Sequence, residues 1–68
     1  MNEDNLNMEI RKFLKKVGIT SQRIIENHIY EADKKGTIKA GDEIELEMIL
    51  SIKNFQSNNR IDGKITIE

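Results

Sequence analysis

The hydrophobic residues of this 68-residue chain repeat with two different periods, and the period changes near Gly36. Before Gly36 they recur every three or four positions, which gives an α-helix one apolar face. After it, apolar and polar residues alternate, which gives a β-strand one apolar face. We therefore expect an α+β fold with a helical first half and a strand-forming second half, in a single domain covering residues 1–68.

The first half predicts two amphipathic helices, at about residues 6–17 and 21–35. Gly18 is expected to end the first helix with a positive φ, since glycine adopts that conformation at little cost. Thr20 is expected to cap the second helix, and Gly36 to end it. The apolar residues expected to face inward from the two helices are Leu6, Ile10, Phe13, Leu14, Val17, Ile24, Ile25, Ile29 and Ala32.

The second half predicts a β-hairpin with strands at about residues 43–53 and 60–68, joined by a turn-rich loop. Placing Glu47 opposite Lys64 pairs apolar with apolar residues, although a two-residue slip would do the same. Residues 37–39 are a candidate for a short edge strand. The predicted architecture is two helices packed on one face of this small antiparallel sheet.

The N-terminal residues are polar and acidic, and Asp4 or Asn5 is expected to cap the first helix. They show no basic region followed by an apolar run, as a secretory signal would. No apolar stretch approaches the roughly 18 residues that a membrane span needs. We therefore expect a soluble cytoplasmic protein with no membrane association.

Few residues could carry catalysis or bind a cofactor. The chain has no cysteine and a single histidine, His28, whose nearest potential co-ligand is Glu31. One histidine is far from the three or four convergent ligands of a transition-metal site, so we interpret His28 as a residue at the border of the apolar stripe. The acidic residues at 43, 45 and 47 are interpreted as one solvated strand face. We expect no catalytic residues, no cofactor, no metal and no enzymatic activity.

Nucleic-acid binding is the alternative function that the sequence suggests. A glycine joint between two short helices resembles a helix-turn-helix motif, whose second helix would read base edges. The net charge of −1 opposes this interpretation, because phosphate binding usually requires a basic surface. We expect specific binding to be absent, and name the residues that would make the contacts if it occurred: Arg11, Lys15, Lys16, Gln22, Arg23 and Asn27.

A protein-interaction or assembly role is the favoured function. Tyr30 projects away from the apolar stripe, Ile49 interrupts a polar strand face, and Phe55 lies in a polar loop. Each is ordinary alone, but together they could form part of a surface for a protein partner or for self-association. Small domains often gain stability by oligomerising, which adds weight to this hypothesis.

The segment NMEIRKFLKKVGITSQRIIE, residues 7–26, resembles a small bacterial family of similar length, a domain of unknown function. The resemblance lies in an arginine-lysine helix, a glycine joint and a Thr-Ser-Gln-Arg sequence, and from Gly36 onward it is mainly one of pattern. The resemblance implies a charged residue at the position of Ile24. The apolar match of Ile24 to the helix-turn-helix spacing is then not a family feature, and the resemblance implies no activity, substrate or partner.

Overall fold

The computed structural model describes all residues, Met1–Glu68, and contains one helix and one β-hairpin. Helix α1 spans Glu3–Lys35, strand β1 spans Glu43–Ile52 and strand β2 spans Ser57–Thr66. The chain divides into two compact units, a helical unit of residues 1–35 and a hairpin unit of residues 36–68. The fold is α+β, as the change of hydrophobic period predicts.

The prediction of two helices is wrong, because α1 continues without a break through residues 18–21. Gly18 does not have the positive φ that a helix stop requires. A glycine inside a helix costs only about 0.5–1 kcal/mol relative to alanine, so it weakens a helix without ending it. The apolar residues also stay in phase across Gly18, since Leu14 and Ile25 lie 11 residues, or three turns, apart. No helix-turn-helix is therefore formed.

The two ends of α1 are set by polar side chains and by a glycine. The Asn2 Oδ1 atom accepts a hydrogen bond of 3.0 Å from the backbone N–H of Asn5, which makes Asn2 the N-cap. The helix thus begins three residues earlier than predicted, and neither Asp4 nor Asn5 is the cap. At the other end Gly36 has a φ of 71°, which confirms the predicted stop.

The hairpin unit is a two-stranded antiparallel sheet, so both of its strands are edge strands. Glu47 lies opposite Asp62 and Glu45 opposite Lys64. The register is therefore shifted by two residues from the predicted pairing of Glu47 with Lys64. The length of the connection between β1 and β2 explains why the register is shifted. The connection is a tight four-residue turn, Lys53 to Gln56, in which Gln56 has a φ of 51° and donates its N–H to the Lys53 carbonyl oxygen.

The second strand begins within the segment predicted as loop. Ser57, Asn58 and Asn59 pair with β1 residues, and the Ser51 hydroxyl lies 2.7 Å from the Asn58 Oδ1 atom directly opposite it. The side chains of Asn59 and Ser57 also hydrogen-bond to each other at 2.9 Å. These polar residues belong to a strand because the short turn brings them opposite β1 and their side chains find partners there.

The candidate edge strand at residues 37–39 is not formed. The backbone N–H of Lys39 instead donates to the Asp42 carboxylate at 3.0 Å, and the Asp42 N–H donates to the Lys39 carbonyl oxygen at 3.1 Å. Gly41, with a φ of 95°, completes this turn and donates its N–H to the Ile67 carbonyl oxygen. The segment before β1 is a closed turn because the Asp42 side chain takes the hydrogen bond that a strand partner would need.

Candidate interaction surfaces

No side chain of this protein is buried, and its largest apolar side chains lie exposed. Single exposed apolar residues are common on protein surfaces and need no explanation. A chain with no buried apolar residue is a different case, because apolar burial is the main favourable term in folding. The apolar faces of the two units are therefore the principal candidate surfaces for interaction.

The first surface runs along α1 and is called the apolar stripe. Its members repeat at intervals of three, four and eleven residues, so they share one face of a straight helix. The stripe covers about 39 Å from Leu6 to Ala32 at 1.5 Å per residue. Phe13, in its first third, keeps 54% of its surface exposed. The stripe consists of Leu6, Ile10, Phe13, Leu14, Val17, Ser21, Ile24, Ile25, Ile29 and Ala32.

Most of the stripe was expected to be core, so the sequence reasoning missed it as a surface. Ser21 is not among the residues that the sequence predicts for this face, because its position there requires one continuous helix. In the structure Ser21 lies on the stripe between Val17 and Ile25 and is among the less exposed residues of α1. The eleven-residue spacing from Ile10 to Ser21 to Ala32 is the signal that could have revealed one continuous face.

The charges of α1 are arranged in blocks along the helix. Residues 3–9 include three acidic and no basic residues, and residues 11–16 include four basic and no acidic ones. Residues 26–31 then carry two glutamates and no lysine or arginine, and the last turn ends in two lysines. The polar surface of the helix is therefore strongly patterned although the whole chain is nearly neutral.

The second surface is one face of the hairpin. Ile44 lies opposite Ile65 and Met48 opposite Ile61, so these side chains share a face across the two strands. Leu46, opposite Gly63, belongs to the same face. The other face is polar, because every second residue of each strand points the opposite way. The register thus places the apolar residues of the two strands on one shared face, as the alternation predicts, although none of them is buried.

The three residues proposed from the sequence as an interaction surface lie in different places. Tyr30 is 58% exposed on the side of α1 opposite the stripe, and its hydroxyl donates to the Glu26 carboxylate at 3.4 Å. Ile49 lies on the polar face of β1, opposite Arg60. Phe55, at 78% exposure, is in the hairpin turn. The structure thus places one residue on the helical unit and two on separate parts of the hairpin unit.

The residues named for nucleic-acid contact all lie on the one continuous helix. At 100° per residue, Arg11, Lys15 and Gln22 line one side of its polar surface, while Lys16, Arg23 and Asn27 line another. The nearby Lys12 pairs with Glu9 at 3.8 Å. Without a turn at Gly18, no second helix is available to enter a groove in the way that the helix-turn-helix interpretation required.

The histidine and the glutamates proposed as marginal ligand candidates also have defined surroundings. His28 lies at the border of the stripe, three residues before Glu31, and its side chain is exposed. On the polar face of the hairpin, Glu43 pairs with Lys64 and Glu47 with Arg60, each at 3.9 Å. No group of three or more histidine, cysteine or acidic residues converges on a point where it could hold a metal ion.

Residues 1–68 match the family of unknown function DUF6494, so the chain belongs to that family. This confirms the resemblance to a domain of unknown function. No curated protein and no solved structure matches the chain significantly. The single helix lacks the combination of length and hydropathy that a membrane-crossing segment would require.

Proposed function

We propose that this member of the DUF6494 family is a small, non-catalytic protein-interaction module. The observation that carries the proposal is that no apolar side chain of the protein is fully buried, and most of the large ones are exposed. Burying one leucine, isoleucine or phenylalanine contributes about 1.5–3 kcal/mol. A partner that covers several of them would supply the stabilisation that the isolated chain lacks.

The weakness of each unit by itself supports the proposal. Isolated helices owe little of their stability to propensity and most of it to the packing of an apolar face. A two-stranded hairpin is marginally stable in water unless something packs against it. Both units have an apolar face suited to such packing, and the stripe of α1 is the longer of the two.

A photo-crosslinking experiment in the native host tests this function. A benzophenone amino acid replaces Phe13 on the stripe in one variant and Lys12 on the polar surface in a matched control. We expect protein adducts of defined mass from position 13 and few or none from position 12. Equal labelling at both positions, no adducts at all, or adducts that contain nucleic acid would contradict the proposal.

A further inference from the structure

We propose that the partner of the apolar stripe is a second copy of this chain, bound antiparallel about a two-fold axis near Ser21. The inference rests on the proposed function and names the occupant of that surface. In such an isologous contact, residue i of one copy meets residue j of the other, and j meets i. Three independent features of α1 place the axis at the same point.

The first feature is the position of apolar residues in the two antiparallel copies. When their axis lies at Ser21, apolar residues of one copy come level with apolar residues of the other. Ile10 comes level with Ala32, Phe13 with Ile29, and Val17 with Ile25, because each pair has its midpoint at residue 21. Larger residues therefore oppose smaller ones at both ends of the contact, an arrangement that lets facing side chains interdigitate. The other stripe residues between these limits, Leu14 and Ile24, come level with His28 and Gly18.

The second feature is the size of the residues at the centre. Ser21 itself and Gly18, one turn away, carry the smallest side chains in the middle of the helix. A hypothetical Cβ atom on Gly18 would meet no atom within 4 Å, so the space beside it is open. Two helices can approach most closely where their facing side chains are small, and the axis falls at that position.

The third feature is the order of the charge blocks. Reversal about Ser21 brings the basic block, residues 11–16, level with residues 26–31, which carry Glu26 and Glu31 and no lysine or arginine. The same reversal places Lys34 and Lys35 level with the uncharged Met8 and Asn7, and Asp33 level with Glu9. Opposite charges are thus brought together along the basic block, where Arg11 comes level with Glu31 and Lys16 with Glu26.

The parallel arrangement has the opposite electrostatics. In a parallel, in-register pair each block lies beside its own copy, so eight basic side chains would cluster at the level of residues 11–16. Like charges facing each other are destabilising and select against that orientation. The charge order therefore favours the antiparallel dimer specifically, beyond the general tendency of an apolar stripe to associate.

The length of α1 also suits a closed dimer. With the axis at Ser21, residues 7–35 of one helix lie alongside residues 35–7 of the other, so nearly the whole helix is covered. An isologous contact of this kind uses each stripe once and leaves no stripe free to extend the assembly. We expect a mass of twice 7.9 kDa in solution.

Cysteine cross-linking tests the orientation, since the chain has no cysteine of its own. Ser21→Cys should form a disulfide with its own copy under mild oxidation, because the two residues lie near the axis. Ile10→Cys and Ala32→Cys should each fail to do so alone, but an equal mixture of the two should form the mixed disulfide. Disulfide geometry requires Cα atoms within about 7 Å, which makes the readout selective.

A substitution that adds charge to the stripe tests the energetics. Val17→Glu should weaken dimerisation at least about tenfold in sedimentation equilibrium, because an apolar residue is lost in both copies. Ile19→Glu makes a similar change on the opposite side of the helix and should alter the dissociation constant less than about threefold. Circular dichroism of both variants checks that the helix is retained.

Each outcome decides the proposal. Self-linking of Ile10→Cys would show a parallel pair and overturn the antiparallel assignment. A monomeric mass together with no disulfide from Ser21→Cys would overturn self-association. If photo-crosslinking at Phe13 then gave adducts only with a different protein, the interaction function would stand while the second copy would be excluded as its partner.

Discussion

The backbone hydrogen bonds of the helical unit are local in sequence, whereas those of the hairpin unit join distant residues. In α1 each hydrogen bond joins residues four apart, so the 33-residue helix is assembled entirely from local contacts. In the hairpin, Glu43 pairs with Thr66, and every pairing depends on the turn between the strands. A substitution that breaks one backbone hydrogen bond in the helix therefore disturbs only the neighbouring turns. A substitution that disrupts the turns bounding the hairpin disturbs the pairing of both strands.

The largest expected effect comes from a proline in the middle of α1. Ser21→Pro should destabilise the helix by about 3 kcal/mol or more, because proline removes a hydrogen bond and clashes with the preceding turn. Helical circular dichroism should fall markedly, measured at one fixed protein concentration. Had residue 21 begun a second helix, proline would be well tolerated there, so an unchanged spectrum would contradict the continuous helix. Ser21→Ala is the control.

The next effect concerns Gly36, at the junction between the two units. Gly36→Ala should lower the free energy of unfolding by about 1–2 kcal/mol, because its φ of 71° is unfavourable for any residue with a Cβ atom. Chemical denaturation measures the change. Gly63→Ala is the matched control, since Gly63 has ordinary strand geometry and open space around it. Equal losses at the two positions would refute the conformational explanation.

The helix cap gives a somewhat smaller effect. Asn2→Ala should lower stability by about 0.5–2 kcal/mol through loss of the hydrogen bond to the Asn5 N–H. Asn5→Ala should have little effect, because in the structure Asn5 contributes only its backbone to the cap. Thermal melts of the two variants separate the observed cap from the one expected from the sequence, and a greater loss for Asn5→Ala would reverse the assignment.

The smallest effect is a gain. Gly18→Ala should raise the free energy of unfolding by about 0.5–1 kcal/mol, because alanine is the better helix former and no atom obstructs its Cβ. The same substitution therefore has opposite signs at residues 18 and 36. A loss of stability at Gly18, measured by denaturation at a protein concentration where the chain is monomeric, would mean that this residue adopts a turn conformation after all.

The sequence allowed the hairpin to be predicted better than the helix. The alternation from Ile44 to Ile52 specifies which side of each strand is apolar, and a one-residue slip would reverse it. A two-residue slip preserves the sides, so the alternation could not choose between Lys64 and Asp62 as the partner of Glu47. The four-residue turn determines the register, because it pairs Ile52 with Ser57. The polar residues after Phe55 do not indicate from the sequence that the turn is this short.

Two kinds of sequence signal conflict in the helix: the residue types at 18–21 favour a helix end, whereas the spacing of the apolar residues favours one continuous helix. Gly18, Thr20 and Ser21 are all residues that favour helix ends, yet each costs a helix interior less than about 1 kcal/mol. The apolar residues before and after these positions fall on the same face of one continuous helix. Two separate helices would not require that agreement. The same conflict affects the candidate surface. When the apolar stripe is divided between two helices, each part is predicted to face a core.

The two-stranded sheet has a consequence for the behaviour of the protein at high concentration. Each strand presents an outer row of unpaired N–H and C=O groups, which can template the addition of a further strand and so begin aggregation. Charged side chains in such strands act as gatekeepers against this growth. The alternating glutamates of β1, together with Arg60 and Lys64 on β2, fill that role here. We therefore expect their removal to make the open-edged hairpin more prone to form fibrils.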